Sequence, residues 1–169
     1  ALAVVRLAWS DDEVAFEGSG YTASGVTANP KPDHIPIWIG GNSPLTRRRV
    51  ARHGDGWNPF RASGVLAKTA RTRPLETLDD LAVMLDHLHS EAEAAGRDPA
   101  SIDIAFTPGA PGPGEAGFRA DEHLQALDDM AGLGVTWSSV TMPGNSVQHA
   151  VEALERYGEE VIRVAGDRS

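Results

Sequence analysis

At 169 residues the chain can bury one good core, and its 41% hydrophobic and 23% charged content is that of a globular protein rather than a disordered or membrane one. A formal charge of −9 and a pI near 5.0 leave no electrostatic footprint for nucleic acid, and the run Arg47, Arg48, Arg49 is too short to reverse that. The absence of cysteine excludes a disulfide framework, a thiolate nucleophile and a Cys-based zinc site and agrees with a reducing cytoplasm, while no apolar run is long enough to cross a bilayer.

Residues 1–10 read as the last turns of an amphipathic helix, with Leu2, Val5 and Trp9 on one face and a polar stop at Ser10, Asp11 and Asp12. ALAVVRLAW is not expected to be a signal peptide, since an arginine interrupts its apolar stretch and no cleavage pattern follows. A helix without a cap and an opening Ala1 in place of methionine suggest a beginning upstream. Across 13–28, VAFEG and GYTASGV alternate and are broken by glycines, which predicts a small antiparallel β insertion closed by Asn29, Pro30, Lys31 and Pro32.

From Ile35 the pattern becomes strand then helix, four times over 35–169. The first unit is a strand Ile35 to Gly40, then a helix with Ser43 as N-cap, Pro44 at its first position and Gly54 just past its end. The second has a short strand from Gly56 to Phe60, an irregular basic loop from Arg61 to Pro74, and a long helix. Thr77 and Asp80 form a capping box for that helix, and Leu78, Leu81, Ala82, Leu85, Leu88 and Ala92 form its apolar stripe. The third has a strand Ile102 to Thr107, the flexible loop PGAPGPGEAG, and a helix with Leu124, Leu127, Met130 and Ala131 inward. The fourth has a strand Val135 to Met142 and a helix capped at Ser146, with Val147, Ala150, Val151 and Leu154 inward.

Apolar strands each followed by an amphipathic helix predict a parallel α/β sheet with covered faces, in a single domain spanning 1–169. A full (β/α)8 TIM barrel needs about 250 residues, so four βα units make roughly its half; an open four-stranded sheet is the alternative.

The chemical candidate is the turn Gly40, Gly41, Asn42 and Ser43. Glycines admit close backbone approach, and free amides at a helix start, with the positive end of the dipole behind them, suit a phosphate. The plainer alternative is an ordinary strand-to-helix turn in which Ser43 only caps. GGNSPL has neither dinucleotide-fingerprint nor P-loop spacing. Asn58 and Arg61, at the carboxyl end of the next strand, stand where barrel enzymes keep their sites and are candidates for cofactor or substrate contacts. No metal site is expected: the six histidines are scattered, and His87 and His89 diverge by about 200° on a helix. Ser138 and Ser139 lie outside any nucleophile elbow.

The segment PIWIGGNSPLTRRRVARHGDGW resembles the signature of the luciferase-like monooxygenase superfamily, in particular its coenzyme F420-dependent branch. DDEVAFEGSGY, ANPKP, AAGRDPASIDI and GVTWSSV follow in that family's order, and the likeness weakens only between Ala110 and Arg119. The resemblance implies a (β/α)8 barrel, usually a homodimer, binding a reduced flavin or deazaflavin at the carboxyl ends of its strands. It implies that Gly40 and Gly41, with Asn42 and Ser43, help hold a cofactor phosphate, the cofactor being coenzyme F420 or alternatively FMN. Only the carboxyl half, strands five to eight, is represented, so no catalytic acid or base is assigned. Two functions follow from this. One is a flavin or deazaflavin oxidoreductase moving hydride between cofactor and a small organic substrate; the other is a non-catalytic half-barrel that binds or assembles.

Overall fold

In the computed structural model, which describes residues 2–167, the chain divides into two compact units, Ala1–Ile37 and Trp38–Ser169. In the first, helix α1 (Leu2–Ser10) precedes an antiparallel hairpin of β1 (Val14–Gly18) and β2 (Tyr21–Val26), the predicted insertion. Gly20, at φ +99, makes the tight turn that only glycine takes without strain. Phe16 and Tyr21 stack across the hairpin with ring centroids 5.5 Å apart. The Lys31 ammonium donates to the Ala8 carbonyl at 3.0 Å and to that of Asp11, which neutralises the negative end of α1. No residue of α1 is buried, so its apolar face is only half covered.

The second unit is a four-stranded sheet, β3 (Trp38–Gly40), β4 (Gly56–Asn58), β5 (Asp103–Phe106) and β6 (Trp137–Ser138), all parallel and in sequence order. The crossovers carry α2 (Pro44–His53), the short α3 (Gly64–Thr69), α4 (Leu78–Ala94) and α5 (Ala120–Gly132). After β6 come α6 (Val147–Tyr157), a π-helical turn (Gly158–Ile162) and α7 (Arg163–Gly166). Alternation places Trp57, Ile104 and Phe106 toward the helices, where they are buried, and leaves Asn58, Asp103 and Ala105 on the other face. On that face Trp38 and Trp137, from the first and last strands, meet edge to face at 5.8 Å. A flat sheet would separate those strands by about 14 Å. The rings meet by leaning over the small residues between them: Trp38 lies against Gly56, where a Cβ would come within 2.7 Å of the indole.

All four strands are shorter than expected, the third, Asp103–Phe106, by one residue at each end. The first begins at Trp38 rather than Ile35, because Pro36 has no N–H to give a ladder. The second ends at Asn58 rather than Phe60, because Pro59 follows and the Phe60 amide donates to the Asn42 side chain at 3.1 Å. The fourth is two residues long in place of Val135 to Met142. It lies at the sheet edge, and the Thr136 hydroxyl takes over a ladder position by accepting from the Ile104 amide at 2.9 Å. The loop from Arg61 to Pro74 is more ordered than expected, holding α3 and a bridge between Ala62 and Leu75.

The core lies between the sheet, α2 and α4: Val50, Trp57, Leu75, Leu81, Leu85, Leu88, Ile104 and Phe106 are among its buried residues, with Met130 from α5. Burying each of these large side chains contributes about 1.5–3 kcal/mol. The capping box of α4 is formed. Asp80 N donates to Thr77 Oγ1 at 3.1 Å, and Asp80 Oδ2 accepts from the Glu76 and Thr77 amides at 3.0 Å. Those amide bonds hold the Asp80 carboxyl below its usual range. Arg97 caps the other end of α2, donating to the Gly54 carbonyl at 2.6 Å.

The stripe of α6 departs from expectation. Val147, Val151 and Leu154 are 83%, 45% and 52% exposed, and Ala153 is the residue that α6 buries. The sheet ends at β6, which is too short to give that stripe an apolar surface. On α5, Leu124 and Met130 are buried as expected, whereas Ala131 is exposed and His123 takes an inward position.

Candidate functional site

The turn after β3 is built by bonds that cross between strands. Gly41, at φ +108, donates its amide to the Asn58 carbonyl at 3.3 Å, and its own carbonyl accepts from Trp57 Nε1 at 2.9 Å. A Cβ there would be strained and would stand 3.3 Å from Thr46 Oγ1. Gly40, level with Asn58 in the ladder, needs no unusual φ and has room for a Cβ. The two glycines therefore differ: the fold requires Gly41, and only close approach of something else would require Gly40.

Asn42 is fully buried and satisfied. Its Nδ2 donates to the carbonyls of Phe60 at 2.8 Å and Arg73 at 3.1 Å, and its Oδ1 accepts from Phe60 N. The Asn42 amide donates to Thr72 Oγ1 at 3.0 Å, and its carbonyl accepts from Arg47 Nη1 at 2.8 Å. One side chain thus pins both ends of the loop after β4 to the start of α2. Its contribution to a ligand would be to shape the turn.

Ser43 caps α2 as expected, its Oγ accepting from Thr46 N at 3.1 Å and lying 2.9 Å from Thr46 Oγ1. Pro44 has no amide to satisfy. Among the described residues no acceptor faces the amides of Ser43 and Leu45, and both residues have solvent access. Two free amides, two hydroxyls and the helix dipole fit a phosphate group.

Of the other two candidates, Asn58 lies beside Gly40, exposed, on the sheet face opposite Trp57. Arg61 is held one strand further on. Its Nη1 donates to the Glu76 carbonyl at 2.7 Å, its Nε to the Thr107 carbonyl at 3.4 Å, and its guanidinium sits 4.9 Å from the Phe106 ring centroid. The structure gathers Gly40, Gly41, Asn42, Ser43 and Asn58 in one place and ties Arg61 to the end of β5.

Sequence reasoning missed Arg47 and His123. Arg47 is 6% exposed and lines a pocket of about 460 Å³ between α2 and α4, with Arg73 and His87. Burial, and then Arg73, lower its pKa, against an opposing pull from Glu91. It was hidden inside a three-arginine run that reads as a solvated face. His123 is 1% exposed, and burial pushes its pKa down. Its only advance signal was helical spacing one residue before Leu124.

The luciferase-like monooxygenase family matches residues 1–111 of the chain. Over 104 residues the chain is 31% identical to the F420-dependent glucose-6-phosphate dehydrogenase 1 of Rhodococcus jostii, covering 61% of this chain and 28% of that relative. Over 58 residues it is 33% identical to the F420-dependent glucose-6-phosphate dehydrogenase of Intrasporangium calvum, covering 34% and 17%. The chain therefore spans well under half the length of these relatives. Among solved structures, 95% of the chain superposes on the monooxygenase RslO1 of Streptomyces bottropensis, with TM-score 0.70, 16% identity and 58% of that chain covered. A second likeness, with TM-score 0.66 and 16% identity, is to the coenzyme F420-dependent tetrahydromethanopterin reductase of Methanopyrus kandleri, 60% of which is covered. These likenesses bear out the fold expected from sequence, half of a (β/α)8 barrel. No helix among the described residues is long and apolar enough to cross a membrane.

Proposed function

This chain belongs to the luciferase-like monooxygenase family, and on that premise we propose that it is the cofactor-anchoring half of an F420-dependent oxidoreductase acting on a small organic substrate. FMN is the alternative cofactor. When bound, the deazaflavin supplies the hydride chemistry, and the protein supplies orientation and electrostatics. The turn Gly40, Gly41, Asn42 and Ser43 anchors the cofactor phosphate. The observation that carries this role is the pair of acceptor-free amides, Ser43 and Leu45, beside the Ser43 and Thr46 hydroxyls. Gly40 and Gly41 keep the approach open, Asn42 holds the turn in shape, and Asn58 stands where the rest of the cofactor or the substrate would pass. Arg61 fixes the neighbouring strand end. The cytoplasmic location and the homodimer belong to this reading and rest on composition and family resemblance; sedimentation of the purified protein tests the second.

The decisive experiment is titration of the protein with reduced F420 and with reduced FMN, for the native sequence and for Ser43→Asp. Aspartate is as good an N-cap as serine, so the fold should keep its stability within about 0.5 kcal/mol. Its carboxylate would repel a phosphate, so affinity should fall at least about tenfold, equivalent to 1.4 kcal/mol. Unchanged affinity in the variant would remove the phosphate role, and failure of both cofactors to bind the native protein would sink the oxidoreductase reading.

A second reading, a non-catalytic half-barrel that assembles with another polypeptide, is favoured by the uncovered stripe of α6 and by Trp137, which is 57% exposed. A protein that binds neither cofactor but elutes as a stable complex would support it.

A further inference from the structure

Helices α2 and α4 leave an open groove between them in the helix layer. Its pocket of about 460 Å³ has the size of a small-molecule site, and none of its lining residues lies in a strand or in the turn 40–43. On α4 the wall is Asp80, Val83, Met84 and His87, spaced i, i+3, i+4 and i+7 on one face. That face flanks the core stripe of Leu81, Leu85 and Leu88.

Arg47 forms the inner wall. It is 6% exposed, yet among the described residues it makes no ion pair. A buried charge ordinarily has a partner of opposite sign. Two of its three nitrogens go to uncharged acceptors: Nη1 donates to the Asn42 carbonyl at 2.8 Å and Nε to His87 Nδ1 at 3.3 Å. Nη2 has no acceptor among the described residues. It is not sealed off. The one fully enclosed side-chain polar atom without a partner there is His123 Nδ1, so Nη2 keeps accessible surface, and the pocket is what Arg47 lines.

A second cation stands in the same wall. Arg73 is exposed, and its guanidinium has no acceptor among the described residues. It is near enough for its charge to disfavour the charged form of Arg47, an effect that adds to burial. Two guanidinium groups repelling each other across an open pocket are what an anion relieves. The neighbouring carboxylates are engaged elsewhere. Asp80 Oδ2 accepts from the Glu76 and Thr77 amides, and Glu91 lies 3.8 Å from His87 Nε2, so the imidazole spans the gap between Glu91 and Arg47.

Charge and shape set the class of ligand. Accepting from Arg47 through Nδ1, His87 is uncharged, so the lining carries two positive charges and one negative. One further negative charge balances them, and a second would be repelled by Asp80. The planar fork of arginine matches a carboxylate. Beside it Pro74, Met84 and Val83, which is 70% exposed, offer apolar surface.

We infer that this groove binds a small organic monocarboxylate, its carboxylate held by Arg47 Nη2 and Arg73 and its apolar body lying over Val83 and Met84. The site is separate from the α2 turn and does not rest on the oxidoreductase reading.

The test is titration of the ¹⁵N-labelled protein with benzoate, followed at the amides of Val83, Met84 and His87 and at the Nε–Hε resonance of Arg47. Benzoate should shift these saturably. Benzamide, of the same shape but uncharged, and inorganic phosphate, without an apolar body, should each bind at least about tenfold more weakly. Arg73→Gln, an exposed change, should weaken benzoate about fivefold. Val83→Glu, also exposed, adds a second carboxylate to the wall and should weaken it about tenfold. Arg47 also holds the Asn42 carbonyl, so its part is read from its own resonance in the native protein. The inference is overturned if benzoate gives no saturable shift, if benzamide or phosphate binds as tightly, or if either folded variant keeps the native affinity. Benzoate binding in a protein that takes up neither F420 nor FMN would leave this site standing and discard the oxidoreductase, and cofactor binding without benzoate binding would do the reverse.

Discussion

Helices α4 and α6 carry the same kind of apolar stripe and have opposite fates. In α4 the positions Leu81, Leu85, Leu88 and Ala92 are buried against the sheet and α2, whereas in α6 Val147, Val151 and Leu154 stay exposed. The polar groups divide the same way. On the β3 and β4 side Asn42 has every side-chain polar atom bonded to backbone, while on the β5 and β6 side His123 keeps one buried nitrogen unmet. An amphipathic pattern specifies a helix and the face that it would bury. Whether that face is covered depends on having a surface to lie on, and β3, β4 and β5 supply one where the two-residue β6 does not.

Paired alanine substitutions separate the two helices most strongly. Leu88→Ala should destabilise the protein by about 2–5 kcal/mol through loss of burial and the cavity left behind. Leu154→Ala, the matching change on α6, should stay within about 0.5 kcal/mol. Chemical denaturation of both variants checks this, and comparable losses would mean that α6 is covered in solution. Next in size is Asn42→Ala, which leaves the Phe60 amide and the Phe60 and Arg73 carbonyls without the partner that the buried Asn42 side chain gives them. It should cost about 3 kcal/mol and raise hydrogen exchange in the loop after β4, with α5 and α6 unaffected.

A smaller effect is expected from acid. The folded state holds His123 neutral, its pKa lowered by burial, while in the unfolded chain the same group takes a proton near its ordinary value of about 6.5. The unfolded state therefore binds more protons as pH falls below that value, and stability declines with acidification from there toward the folded pKa. His123→Phe should flatten the part of the stability–pH curve just below pH 6.5. A curve identical to that of the native protein would show that the imidazole titrates alike in both states.

Much of the fold was legible because its signals are local. Ser43 and Pro44 at the start of α2 and the Thr77–Asp80 box of α4 are chemistry within four residues, and the glycine pair marked the turn correctly. Strand lengths were less legible, since prolines at 36 and 59 and the Thr136 hydroxyl interrupt ladders that apolar content alone would extend. In the candidate site, Gly40, Gly41, Asn42, Ser43 and Asn58 could be expected to lie together because they adjoin one motif. The network of Asn42 reaches residues 18 and 31 positions away, and the pairing of His123 with Tyr157 spans 34, so neither had any local trace.

The order of strands and helices, the caps, the parallel α/β architecture and the glycine turn before α2 can thus be read from the chain alone. Each of these depends on backbone preferences or on neighbours within a turn or two. It takes the packed fold to show that Gly41 and not Gly40 is required, that Asn42 shapes the turn, that Arg47 and His123 are buried, and that the α6 stripe is uncovered. Those outcomes depend on which distant groups come within hydrogen-bond or van der Waals reach once the sheet has formed, a matter of packing that no local pattern encodes.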